Sequence, residues 1–321
     1  MRPRLDVAAA RLADWLAQGY HGEMAYMARH AGLRADPAAL LPGARTVLVA
    51  RMDYLPAGVR APPLPDRAWI ARYALGRDYH KTLRQRLLRL AERIAAEFGP
   101  LQQRACTDSA PLMEVEIACQ GGLGWRGKHT LLLDRTGSWF FLGELLVDLD
   151  LPADPPVEGH CGRCTACIDA CPTGAIVAPY VLDARRCIAY LTIEHTGPIP
   201  IELRPLLGHR VYGCDDCQIA CPWNRFAQPA RVADFNPRPG LHGAALIDLF
   251  AWSEAEFEAR MAGSPIRRIG WERWLRNLAV ALGNAPRTPA IEAALRARAD
   301  HPSELVCEHV AWALGHRAND G

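Results

Sequence analysis

Cys161-Gly162-Arg163-Cys164-Thr165-Ala166-Cys167-Ile168-Asp169-Ala170-Cys171-Pro172 and, downstream, Cys214-Asp215-Asp216-Cys217-Gln218-Ile219-Ala220-Cys221-Pro222 are the two runs on which the reading of this chain turns. The first has the C-x-x-C-x-x-C-x-x-x-C-P spacing. With it a chain holds three corners of one [4Fe–4S] cluster and lends its fourth cysteine to a second. The second run repeats the pattern with its first slot filled by Val211. Counting ligands tests the idea. Cys161, Cys164 and Cys167 take Cys221 as their fourth thiolate. Cys171, Cys214 and Cys217 take Cys187, the one cysteine between the runs. Every thiol of the stretch is then used. Zinc also accepts four cysteines, but usually as separated C-x-x-C pairs. A disulfide framework belongs to small secreted chains, and inert buried cysteines would not fall on this spacing. The residues therefore predict two [4Fe–4S] clusters, whose iron suits soft thiolate ligands.

Composition bounds the rest. At 321 residues the chain is long enough for one to three domains. Half of it is hydrophobic, yet no apolar run is long enough to span a membrane, and no charged-then-apolar leader precedes the body. The expectation is a soluble cytoplasmic protein, where thiols stay reduced. A formal charge of +2 neither demands nor excludes a nucleic-acid partner. Cys106, Cys119 and Cys307 lie outside the cluster stretch and read as small buried hydrophobes.

Along the chain, 5–16 carries a helical pattern, and a Gly- and Met-rich segment follows. Residues 46–52 read as a buried strand, and 56–65 as a Pro-rich loop. The segment Arg72-Tyr73-x-x-Gly76-Arg77-Asp78-Tyr79-His80 leads into an amphipathic helix with Leu83, Leu87, Leu90 and Ile94 on its inner face. Residues 104–107 read as a strand, and Asp108-Ser109-Ala110-Pro111 as the start of a helix with proline early in its first turn. Strands are expected at 130–133 and 139–147, joined near Gly137-Ser138. This mixture predicts an α+β fold for the first part. Domains are expected at 1–154, 155–225 and 245–321, with 226–244 as a polar linker. The last part is helical and carries an internal echo, since 277–284 resembles 309–316 at the period of helical repeats.

These residues are enough for a resemblance. The chain is similar to the epoxyqueuosine reductase family, relatives of cobalamin-dependent reductive dehalogenases. The resemblance is carried by Asp108-Ser109-Ala110-Pro111, Gly122-Leu123-Gly124-Trp125-x-Gly127-Lys128 and Gly143-Glu144-Leu145-Leu146. The double cysteine run with Cys187, Tyr212-Gly213-Cys214-Asp215-Asp216-Cys217 and the terminal helical repeats complete it. The family usually begins with a further strand and helix before residue 12, so the N-terminus here reads as short. The resemblance implies a nitroreductase-like cobalamin-binding domain, a ferredoxin-like double-cluster domain and HEAT-like repeats. It implies reduction of epoxyqueuosine at the tRNA wobble position to queuosine, as a monomer fed by an external low-potential electron donor. The cofactor itself carries the difficult chemistry, and the protein supplies a proton donor, orientation and a dry pocket.

On this resemblance Asp108 is the proton donor. Its pKa would have to rise by burial against the corrin for the proton to be available at pH 7. The competing reading is a helix N-cap, which would favour the ionised form. The family's cobalamin positions fall on Arg34, Ala71, Asp108, Leu132, Leu142, Ala189, Cys214 and Asp215. Gly127 and Lys128 help shape the floor. Relatives often have serine where Ala189 stands. The basic run Arg267, Arg268, Arg273 and Arg276, with Trp271 and Trp274 between, is the tRNA candidate; a solvated face over a core is the plainer alternative. Two rival functions remain at this point. One is a ferredoxin-like electron-transfer module, and the large domain before Cys161 speaks against it. The other is a zinc-holding nucleic-acid binder.

Overall fold

The computed structural model describes residues 5–59 and 64–316. Residues 60–63 of the Pro-rich loop and 317–321 of the C-terminal segment lie outside the described residues. The chain opens with α1 (Asp6–Ala17), followed by α2 (Ala25–Arg29) and α3 (Ala31–Ala35). Gly22, between them, has φ +55, and a Cβ there would lie 2.3 Å from the Tyr190 hydroxyl. That hydroxyl accepts the Glu23 N–H at 2.7 Å and ties the N-terminal helices to the cysteine-rich segment.

Next come β1 (Thr46–Asp53), β2 (Trp69–Ile70), α4 (Tyr79–Phe98), β3 (Gln103–Cys106), α5 (Glu114–Gln120), β4 (Trp125–Arg126), β5 (Leu132–Leu133) and β6 (Phe140–Val147). The main sheet has the order β1-β6-β3, antiparallel throughout. β6 is central, and both its faces are covered. Phe141, Leu145 and Val147 meet Leu83, Leu87 and Ala91 of α4. Leu146 points the other way, among Leu112, Ile117 and Cys106. Gly143 lets α4 approach, since a Cβ there would press within 3.0 Å of Leu83 and Leu87. Each buried leucine contributes about 1.5–3 kcal/mol.

Three local expectations need correction. Leu90 is 39% exposed, and Ala91 packs instead, because the helix docks through its i, i+4 ridge Leu83-Leu87-Ala91. The helix expected at Asp108 begins only at Glu114. Asp108 has φ +52, a left-handed turn rather than the extended backbone of an N-cap. The strand expected over 130–133 shrinks to Leu132–Leu133 because Thr130 also turns left-handed. That strand pairs with β4, not with the sheet.

The cysteine-rich segment holds α6 (Ala166–Asp169), β7 (Ile176–Ala178), β8 (Val181–Leu182), α7 (Ile188–Ile193), β9 (Arg210–Tyr212) and α8 (Asp216–Ile219). The short helices α6 and α8 pack together and come from equivalent places in the two cysteine runs. β9 pairs in parallel with β2. The chain closes with α9 (Leu246–Phe250), α10 (Glu254–Met261), α11 (Gly270–Asn284), α12 (Pro289–Arg296) and α13 (Glu304–Gly315). The stretch 226–244 carries two buried anchors, Phe235 and Leu241.

α11 grips the cysteine-rich segment through buried polar side chains. Asn277 donates to Thr192 O and Val211 O, both at 2.9 Å, and Asn284 donates to Arg204 O and Gly208 O. The echo of Asn277 is His309 on α13, whose Nε2 accepts the Ile199 N–H at 3.1 Å. The two echoed segments pack face to face, and a Cβ at Gly283 would meet Trp312 at 2.7 Å. No helix among the described residues is long and apolar enough to cross a membrane.

Candidate functional site

The two cysteine runs fold back so that Cys161, Cys164, Cys167 and Cys221 line one hollow of about 280 Å³. Its walls include His129, His160, Trp223 and Phe226. Lys128 is buried, and its ammonium donates to Gly162 O and Cys164 O, each at 2.8 Å, pinning the first loop. Burial, then the neighbouring Cys221 and Cys161, push the Cys167 thiol up to about 11. Burial, then Cys187, Asp215, Cys167 and Cys171, push the Cys217 thiol well above its ordinary range. Cys187 and Cys214 both pack on the core beneath α7. The Cys214 S–H donates to the Asp216 carboxylate at 2.6 Å. Thiols held protonated in this way release protons when metal binds, because the thiolate is the ligand. Among the described residues no three His, Cys, Asp or Glu side chains converge on a single-ion position. A cubane, with one thiolate on each iron, asks instead for a hollow between sulfurs.

At the C-terminal end of β3, Asp108 turns its carboxylate to the start of α4. Asp78 caps that helix, accepting the His80 N–H at 3.1 Å. His80 then lies between two carboxylates, with Nδ1 2.7 Å from Asp78 and Nε2 3.2 Å from Asp108. Tyr79 donates its hydroxyl to the same Asp108 oxygen. Stacking fixes this group, since Tyr79 lies flat on Phe141 at 3.9 Å and His80 on Tyr79 at 4.1 Å. Burial opposes a charge on His80, but its hydrogen bonds to Asp108 and Asp78 raise its pKa to about 9. Burial pulls Asp108 up, and the bonds from His80 and Tyr79 outweigh it, so its pKa is lowered. The expectation of a raised Asp108 pKa therefore does not describe the protein's own arrangement, because an imidazolium sits beside the carboxylate.

Behind Asp108 stands a second acidic layer. The Asp108 N–H donates to Glu114 Oε1 at 2.5 Å, holding the left-handed turn. Glu114 neighbours Glu144 of β6, which is fully buried. Burial first, then the Asp108 charge, raises Glu114 to about 7. Burial, then Glu114, pushes Glu144 well above the carboxylate range. None of Tyr79, His80, Glu114 or Glu144 was singled out as a site residue from the sequence. The available signal was an acid inside the apolar strand Phe140-Phe141-Leu142-Gly143-Glu144-Leu145.

The other sequence-predicted positions fall into two groups. Leu132 and Leu142 pack in one apolar cluster, and Leu142 O accepts the Thr107 hydroxyl next to Asp108. Arg34 donates to Leu112 O at 3.1 Å, while its buried Nε has no partner. Burial lowers the Arg34 pKa, and nearby Tyr26, Glu114 and Asp108 oppose that. On the other side, Ala71 donates its N–H to Tyr212 O, and its Cβ lies where a side chain on Gly213 (φ +70) would have to go. Thr192, one turn after Ala189, accepts the Gly213 N–H at 2.9 Å. The Asp215 side chain is buried against Arg72, its Oδ2 accepting both the Arg72 backbone N–H and the guanidinium, and its backbone is left-handed.

The four arginines separate. Arg276 is fully buried and donates to Leu191 O, His195 O, Gly197 O and Asn277. It has no surface to offer a nucleic acid, and its assignment to a tRNA interface is withdrawn. Arg273 is half-buried and serves Ile269 O, Ile193 O and Arg268 O. Arg267 and Arg268 are exposed, in ion pairs with Glu258 and Glu194. Arg268 also lies close enough to help hold Asp108 ionised. Trp274 is core.

Cluster-spaced thiols and a carboxylate–imidazolium pair on one α+β scaffold have the features of an iron–sulfur oxidoreductase. Comparison with known proteins narrows the class. Residues 160–224 match the family model described as 4Fe-4S double cluster binding domain. Residues 34–109 match that described as epoxyqueuosine reductase QueG, DUF1730. The epoxyqueuosine reductase of Pseudomonas aeruginosa is 61% identical over 310 residues, covering 95% of this chain and 86% of the relative. That of Escherichia coli is 56% identical over 318 residues, covering 98% and 83%. A crystal structure of epoxyqueuosine reductase with an epoxyqueuosine-modified tRNA-Tyr stem loop superposes with a TM-score of 0.88 at 28% identity, covering 98% of this chain and 84% of that one. The Bacillus subtilis enzyme, solved with a catalytic aspartate loop swung out of its active site, is equally close. The chain belongs to the epoxyqueuosine reductase family.

Proposed function

We propose that this chain reduces epoxyqueuosine in tRNA to queuosine, the last step of queuosine synthesis. The observation that carries the reading is the placement of a double-cluster thiol set and the Asp108–His80 pair in one fold whose relatives bear that name. In this reading Cys161, Cys164, Cys167 and Cys221 hold one [4Fe–4S] cluster. Cys171, Cys187, Cys214 and Cys217 hold the other, with Cys214 turning from Asp216 to iron. Cobalamin would be held by Arg34, whose buried Nε has no partner, and by Ala71, Leu132, Leu142, Ala189, Cys214 and Asp215, mainly through backbone and apolar surface. When bound, it supplies a strongly reducing metal centre for breaking the C–O bonds. Ala189 brings no hydroxyl to it.

Removing the epoxide oxygen as water takes two electrons and two protons. The clusters held by these cysteines would supply the electrons, drawn from an external low-potential donor. His80 holds the first proton at neutral pH and passes it to the Asp108 carboxylate, and solvent, which reaches His80, supplies the second by re-protonating it. Burial of Asp108 by substrate and cofactor favours that transfer, since desolvation penalises the carboxylate more than the neutral acid. Tyr79 fixes the receiving oxygen. Arg267, Arg268 and the half-buried Arg273 meet the tRNA, and α9–α13 form a HEAT-like scaffold behind them. The chain divides into 1–154, which carries the cobalamin, 155–225, which carries the clusters, a linker at 226–244, and 245–321. The protein acts as a cytoplasmic monomer.

The test is nucleoside mass analysis of tRNA from cells lacking this chain. Accumulated epoxyqueuosine with no queuosine is expected, and normal queuosine would refute the function.

A further inference from the structure

The hollow lined by Cys161, Cys164, Cys167 and Cys221 has a histidine in its wall that the reaction does not use. His129 is 4% exposed. Its Nδ1 accepts the Leu131 N–H at 3.2 Å, so that nitrogen carries the lone pair. By elimination the proton is on Nε2. That Nε2 is buried and has no hydrogen-bond partner in the protein. The Cε1–Nδ1 edge of the ring lies over Gly127, where a Cβ would come within 2.6 Å of Cε1, so only glycine leaves room for the imidazole. A buried donor left unmatched costs about 1–3 kcal/mol, and the neighbouring groups best able to accept it are cluster sulfurs. The indole N–H of Trp125, packed with Cys161 and Cys221, is a second buried donor without a partner.

We propose that His129 donates an Nε2–H···S hydrogen bond to the cluster held by Cys161, Cys164, Cys167 and Cys221, and thereby sets its reduction potential above that of a cluster lacking the bond. This rests on the double-cluster reading of the cysteines. The physical reason is that reduction adds negative charge to the cluster, and a donor aimed at sulfur stabilises the reduced state more than the oxidised one. Leu131 fixes the tautomer, as a partner to the second ring nitrogen does for a metal-bound histidine. His129 is a positioning and tuning residue; it touches no substrate.

The experiment uses the full chain reconstituted without oxygen, labelled with ¹⁵N at histidine only. Pulsed EPR of the reduced protein is expected to show one histidine nitrogen and one exchangeable proton coupled to a cluster. His129→Asn keeps a side-chain acceptor for the Leu131 N–H but withdraws the donor from the hollow. Redox titration of that variant is expected to show one cluster shifted to lower potential and the other unchanged, with the nitrogen coupling lost. Wild-type protein with full iron and sulfide content but no coupled histidine nitrogen overturns the proposal alone. Protein without inorganic sulfide overturns the cluster reading and the proposal with it.

Discussion

Replacing Asp108 by asparagine should release His80. Two carboxylates, Asp78 and Asp108, lift the imidazolium from the ordinary 6.5 to about 9, which corresponds to about 3 kcal/mol in favour of the charged form. His80 keeps 30% of its side-chain surface, so solvent screening trims that figure. Losing one of two partners should then forfeit about 1–2 kcal/mol, or on the order of one pH unit in the His80 titration. The sign follows from linkage. A base whose folded pKa is raised stabilises the fold fully below its unfolded value of 6.5, and that contribution fades as pH rises through about 9. Asp108, with its pKa lowered, contributes above the ordinary carboxylate range and loses its share in acid. The stability gap between wild type and Asp108→Asn should therefore be widest between about pH 5 and 6.5 and close above about pH 9. Histidine NMR titration and urea unfolding across that range measure both effects. Cobalamin binding should survive and epoxide reduction should be lost. If His80 in the wild type titrates near 6.5, or stays near 9 in the variant, the paired-proton account is wrong.

Other perturbations separate structural from functional roles. Arg276→Met removes a cation that serves three backbone carbonyls in the core, and should cost about 3–5 kcal/mol of stability by denaturant unfolding. Arg268→Ala should leave stability within about 0.5 kcal/mol, since its ion pair is exposed, while weakening tRNA binding and flattening its salt dependence. Cys187→Ala should lower iron and sulfide content by half, emptying one cluster site and sparing the other; two intact clusters would refute the ligand set. Glu144→Gln removes a buried acid whose pKa is raised well above 4.5. Such a group costs stability as pH rises, so the variant should gain relative to wild type at pH 8 compared with pH 5.5.

Much of the molecule was legible in the sequence where covalent spacing dictates chemistry. The double-cluster segment could be read directly from the two cysteine runs, because a cluster constrains the chain more tightly than packing does, and residues 160–224 match a double-cluster family model; Cys187 as the eighth ligand is a proposal from ligand counting. The strands around β6 and the helix α4 were legible from periodicity. What escaped lay where tertiary context decides. Asp108 resembles an N-cap in one dimension, but its left-handed turn is held by Glu114, six residues on. His80 was visible as a helix-start residue, yet only the fold sets it between two carboxylates. Arg276 belongs to a basic run on paper and to the core in space, because α11 buries a ring of carbonyls from the cysteine-rich segment that needed a donor.

In the proposed reaction, stored electrons and a protein-held proton meet at one epoxide. The direct measurement is a single turnover. Anaerobic protein bearing both clusters and cobalamin, reduced beforehand, is mixed with an epoxyqueuosine-containing anticodon stem loop, and the nucleosides are weighed. The account predicts queuosine, lighter by one oxygen, in proportion to the electrons loaded, and none without cobalamin. Queuosine formed equally well without cobalamin, or by the Asp108→Asn variant, would contradict it.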